Sequence, residues 1–169
     1  MADAGTFGLN NPDQDMNDAT RYYTWNNTIN NLSTGVRHVN NQSQGHGSLF
    51  NITKKGEFLI SVRLVCTNGL ANDRSLIFLE LHVNNRNLNN QFTTRGPNVK
   101  TYYLERSYYR DDITVDDLVL GGTIRLWLDD NQQFEICTRR RYSQDPTDTI
   151  KADTSQSTLF IERHDYTIA

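Results

Sequence analysis

The run Glu80-Leu81-His82 places a carboxylate and an imidazole two residues apart in an alternating stretch, so both project from the same side of a strand. With His38, His46 and His164 they are the candidate metal ligands of the chain. A bound metal needs three or four donors, no His-x-His occurs, and an ordinary ion pair accounts for Glu80 and His82. No metal and no cofactor are expected. Carboxylates stand side by side at Asp111-Asp112, Asp116-Asp117 and Asp129-Asp130. Glycoside hydrolysis would need two acids across one cleft, but neighbours in a strand point to opposite faces, and Asp at strand ends is favoured by turn chemistry. The nucleophile elbow, the P-loop and the dinucleotide fingerprint are all missing. The chain is not expected to be an enzyme.

Two further groups suit binding. Arg139, Arg140 and Arg141 form the one dense positive run; their guanidinium forks could hold a phosphate or sulfated glycan. Asp145, Asp148 and Asp153 follow closely, so salt bridges, within or between subunits, are the plainer use. In the strand "TYYLERSYYR", Tyr102, Tyr103, Tyr108 and Tyr109 fall on both faces, which exposes some of the rings. Exposed tyrosines serve sugars as stacking platforms and oligomers as interface anchors. Both uses stay open.

The elements that position these residues are strands. In "GEFLISVRLVC", Phe58, Ile60, Val62, Leu64 and Cys66 alternate with a mixed polar set; "SLIFLELHV" does the same with Ile77, Leu79, Leu81 and Val83. Further short strands are read over 48–54, 99–109, 113–115, 123–130, 133–138 and 157–164, with Asn84-Asn85 as a turn. No window carries a 3.6-residue period. About eight antiparallel strands predict an all-β sandwich or closed barrel. Leu59, Val65, Leu76 and Phe78 lie on the nominally polar faces of two long strands and are expected to form an apolar patch at a subunit contact.

Residues 1–46 are rich in Asn, Asp, Gly, Ser and Thr and lack a period. They read as an extended N-terminal arm, anchored on a neighbouring subunit by Tyr22, Tyr23 and Trp25, with the folded domain spanning 47–169. A net charge of -3 offers no global footprint for nucleic acid or an anionic membrane. The N-terminal sequence has no basic region followed by an apolar run, which predicts synthesis in the cytosol and no membrane span. Cys66 and Cys137 match no zinc or redox spacing and are expected as free thiols. The sequons at Asn26, Asn31, Asn41 and Asn51 are expected to stay unmodified.

The order of the segments "GEFLISVRLV", "LIFLELHVNNRNL", "VDDLVLGGTIRLWL" and "STLFIERH" resembles the jelly-roll family shared by tumour necrosis factor and the globular heads of complement-related proteins. The resemblance covers about two-thirds of the chain, from Gly47 onward. It implies a jelly-roll sandwich that assembles as a homotrimer, packed around a threefold axis. Some members of that family are secreted ligands and others belong to virus and phage particles. Composition and arm favour the second group: a minor capsid or decoration protein of a virion, bound to other capsid proteins. The alternative is a carbohydrate- or receptor-binding head.

Overall fold

The computed structural model describes residues 3–9, 15–16, 21–26, 35–40, 47–68, 74–85, 99–110, 118–143, 150–153 and 155–165. Among them every regular element is a strand: β1 (Asp3–Leu9), β2 (Asp15–Met16), β3 (Arg21–Tyr22), β4 (Trp25–Asn26), β5 (Val36–Asn40), β6 (Ser48–Ile52), β7 (Gly56–Asn68), β8 (Arg74–Asn85), β9 (Lys100–Arg110), β10 (Leu118–Leu128), β11 (Gln132–Ser143), β12 (Ile150–Ala152) and β13 (Thr158–His164). All their pairings are antiparallel.

Two sheets result. In the first, β10, β7, β13, β1 and β4 lie side by side, and β12, which carries β2, continues the β13 edge of β7. In the second the order is β5, β6, β11, β8, β9, with β3 added beside β11. The alternation read from the sequence places Phe58, Ile60, Val62 and Leu64 of the first sheet against Ile77, Leu79, Leu81 and Val83 of the second, all buried in one core. Sheet-on-sheet burial of period-two faces is what makes these segments strands. The all-β jelly-roll expectation holds.

The arm reading fails where its residues are described. Strand β1 pairs with β13 from Asp3↔Arg163 to Gly8↔Thr158, and Phe7, Leu9, Tyr22, Tyr23 and Trp25 are buried within this same chain. The Trp25 N–H donates to Ser48 Oγ at 2.7 Å, and the Tyr23 hydroxyl meets Thr138 Oγ1 at 2.7 Å. A Cβ on Gly47 would run into the Tyr23 carbonyl oxygen, so glycine lets the two segments touch. These pairings extend over as few as two residues. Elements that short carry no period, and a few large rings are diluted in a polar average.

Three smaller readings are corrected. Asn84 and Asn85 are not a turn but the end of β8, paired with Gln133 and Gln132. The short strand read over 113–115 lies outside the described residues, as do Asp111-Asp112 and Asp116-Asp117. The patch of Leu59, Val65, Leu76 and Phe78 does not exist as one surface, because β7 and β8 belong to different sheets and turn their outer faces apart. Val65 is buried beneath the turn at 153–157, where Ser157 Oγ accepts its N–H at 3.0 Å and its carbonyl accepts the Asp153 N–H at 2.7 Å.

Candidate functional site

Two places concentrate chemistry. The first is the open side of the sandwich. Among the described residues β9 pairs only with β8 and β10 only with β7, so both stand as edges there, and they face each other across the gap between the sheets. The β10 backbone comes close at Gly122, where a Cβ would lie 2.8 Å from the Leu104 carbonyl oxygen. The Gly121 N–H donates to the Glu105 carboxylate and ties the edges together. Tyr102 and Leu104 from β9, with Ile124 and Leu126 from β10, point toward the core yet stay half-buried, since no further strand covers them among the described residues. On the outer faces Tyr103 is 58 % exposed, Tyr108 57 %, Trp127 54 % and Val119 47 %. The Trp127 indole N–H donates to Asp129 Oδ1 at 3.2 Å. Asp129 and Asp130 are exposed in the turn that joins β10 to β11, and Gln132 Oε1 accepts the Asp129 N–H at 2.9 Å, which is turn chemistry. An uncovered strip mixing aliphatic and aromatic residues is the surface feature that normally meets a partner.

The second place is the outer face of the second sheet. Glu80 and His82 of β8 project there together, as the spacing requires, and Cys137 of β11 pairs directly with Glu80. All three are buried. His82 Nε2 lies 2.7 Å from Glu80 Oε2 and 3.4 Å from Cys137 Sγ. Its other nitrogen, Nδ1, lies 3.5 Å from the Tyr22 hydroxyl. Arg139 donates to Glu80 Oε1 at 2.5 Å and to the Tyr103 hydroxyl at 3.3 Å. Burial works to lower the Arg139 pKa; the hydrogen bond with Tyr103 and the charge of Glu80 outweigh it and hold the guanidinium above its usual value. Phe78 sits between the guanidinium groups of Arg106 and Arg139, 5.7 and 5.6 Å from its ring centre, so its role is a cation–π stack within the chain.

The other expected residues disperse. Half-buried His38 stacks on Phe50 and bonds Ser48 Oγ at 2.8 Å, and His164 Nε2 lies 3.4 Å from Glu162 Oε2. The structure therefore separates these histidines from His82; His46 lies outside the described residues. Of the arginine run, Arg139 faces outward and Arg140 is buried on the core side. The side chains of Arg141 and Tyr109 are not described. Half-buried Leu59 sits on the outer face of β7, opposite Arg125 and Glu162. Cys137 is the residue that sequence reasoning missed. Its segment reads only as a short strand over 133–138 and its thiol only as free, and only the register brings it opposite Glu80.

No family model and no curated protein matches the chain. Solved structures do. The Eiger TNF of S. frugiperda superposes with a TM-score of 0.59 at 14% identity, over 99% of this chain and 98% of that one. The fold is a tumour-necrosis-factor-like jelly roll. Murine APRIL at pH 5.0 gives 0.58 at 7% identity over 97% and 100% of the two chains, and its structure at pH 8.0 gives 0.55 with the same identity and coverage. The likeness runs through the N-terminal strands as well, in agreement with their place in the sheets.

Proposed function

We propose that this chain is a self-associating jelly-roll head that acts by binding rather than by catalysis, with three copies closed along the β9–β10 edge. The carrying observation is that edge itself: Tyr102, Leu104, Ile124 and Leu126 point inward from both sheets and are left half-covered in the single chain. Covering them with a second copy removes apolar area from water at roughly 25 cal/mol per Å². The stoichiometry of three is what the resemblance to the tumour necrosis factor family implies. Binding as the mode of action is supported by the exposed rings of Tyr108 and Trp127, held on strands and therefore stiff, which suit an apolar side chain or a sugar face. In a virus particle such a trimer would serve as a decoration or minor capsid subunit. Its attachment would run through the sheet faces, because Tyr23 and Trp25 are spent on the chain's own core and Tyr22 is buried against His82 of the same chain.

The test is Leu126→Asp, which sets a charge on the proposed contact at a position the folded single chain leaves partly wet. Light scattering should give the native chain at three times its 19.5 kDa mass and the variant at one, with the circular dichroism of a β-protein kept. A variant that stays assembled would overturn this edge as the contact. Loss of binding to immobilised glycans in Tyr108→Ala, with assembly intact, would define the partner as a sugar.

A further inference from the structure

Glu80, His82 and Cys137 present one carboxylate oxygen, one ring nitrogen and one sulfur, all within 4.8 Å of one another and all buried. We propose that these three side chains form a binding site for a divalent zinc ion, independent of the β9–β10 contact. Tetrahedral zinc has bonds of about 2.0–2.3 Å, which sets its ligands roughly 3.3–3.6 Å apart. The nitrogen–sulfur separation of 3.4 Å already has that value, and the nitrogen–oxygen separation of 2.7 Å must open by roughly 0.6 Å as the hydrogen bond is replaced. A sulfur donor beside imidazole selects zinc over magnesium and calcium, which prefer oxygen alone.

The surrounding groups are those a metal site requires. A ligating histidine donates from its other nitrogen to a fixed acceptor, and here Nδ1 faces the Tyr22 hydroxyl at 3.5 Å. A ligating carboxylate is steadied at its second oxygen, and here Arg139 occupies Oε1 at 2.5 Å and leaves Oε2 on the ring nitrogen of His82. Loading deprotonates the Cys137 thiol and releases that proton to solvent, and the ring proton of His82 passes from Nε2, where it meets the Glu80 carboxylate, to Nδ1, which faces the Tyr22 hydroxyl; a water completes the four-coordinate shell. The ligands lie on adjacent strands, so the ion clamps β8 to β11 in the middle of the second sheet.

The experiment uses the full chain, stripped with a chelator and titrated with cobalt, whose thiolate complexes absorb in the near ultraviolet. About one cobalt per chain should bind with a sulfur-to-metal charge-transfer band, and zinc should bleach it. The band should survive Cys66→Ala and vanish in Cys137→Ser. Tyr22→Phe should weaken zinc binding roughly 10- to 100-fold while the metal keeps its sulfur. If Cys137→Ser fails to fold, zinc-edge absorption on the native chain decides, with one sulfur per zinc expected. No band in the native chain, a band that persists in Cys137→Ser, or zinc without a sulfur neighbour would each overturn the site and leave a metal-free hydrogen-bonded cluster.

Discussion

Trp25→Ala is the perturbation that most sharply distinguishes an integrated N-terminus from a detachable one. The ring is fully buried and packs beside Tyr23 at 6.5 Å between ring centres, while its backbone N–H is held by Ser48 Oγ. Truncating a fully buried tryptophan removes its transfer free energy and leaves a cavity, a loss of about 3–5 kcal/mol. The backbone bond to Ser48 survives the substitution, so that figure needs no added term for an unsatisfied donor. For a chain of 169 residues each kcal/mol moves the melting temperature by about 2–4 °C, which gives a fall of roughly 6–20 °C. Thermal and urea denaturation at fixed protein concentration should agree, with the urea slope unchanged. An unaltered melting temperature would refute the burial of this segment and restore the arm.

Ile60→Ala should cost about 2–5 kcal/mol in urea denaturation, because Ile60 lies at the centre of the core, whereas half-buried Leu126→Ala should cost the isolated chain only about 1 kcal/mol; equal losses would contradict the open edge. Gly122→Val would drive a side chain into the Leu104 backbone and should destabilise by about 1–3 kcal/mol, with a native-like melting temperature contradicting the close approach of β9 and β10. Asp153 accepts from the Ser155 hydroxyl and N–H and from Gln156, which holds its pKa below the ordinary 3.8. A lowered folded pKa gives stability that is present above pH 3.8 and lost as the pH falls through the folded value, so Asp153→Asn should flatten the acid limb of a stability profile. An unchanged acid limb would remove Asp153 from that role.

The long strands were legible because each buries one face, and burial on one side of a strand leaves a period of two. Phe58 to Cys66 and Ile77 to Val83 announce themselves in that way. The N-terminal strands were not legible, since pairings such as Leu9↔Trp25 and Cys137↔Tyr22 are too short to carry any period. Pairing between distant segments is equally silent in a sequence. It puts β7 and β8 in opposite sheets, dissolving the patch expected from Leu59, Val65, Leu76 and Phe78, and it brings Cys137 opposite Glu80. Glu80 and His82 were visible through their two-residue spacing, but their third companion depends on the register of a strand 57 residues away. The exposed rings were half legible: alternation guaranteed that β9 would show tyrosines on its outer face, and only the bulge in its pairing with β8 decided which.

The mass of the unmodified chain in solution tests the central claim most directly. Sedimentation at micromolar concentration, without added ligand or metal, should give one species at three times 19.5 kDa, stable to dilution. A single species at 19.5 kDa would contradict self-association along the β9–β10 edge and leave its half-covered Tyr102, Leu104, Ile124 and Leu126 for a different partner.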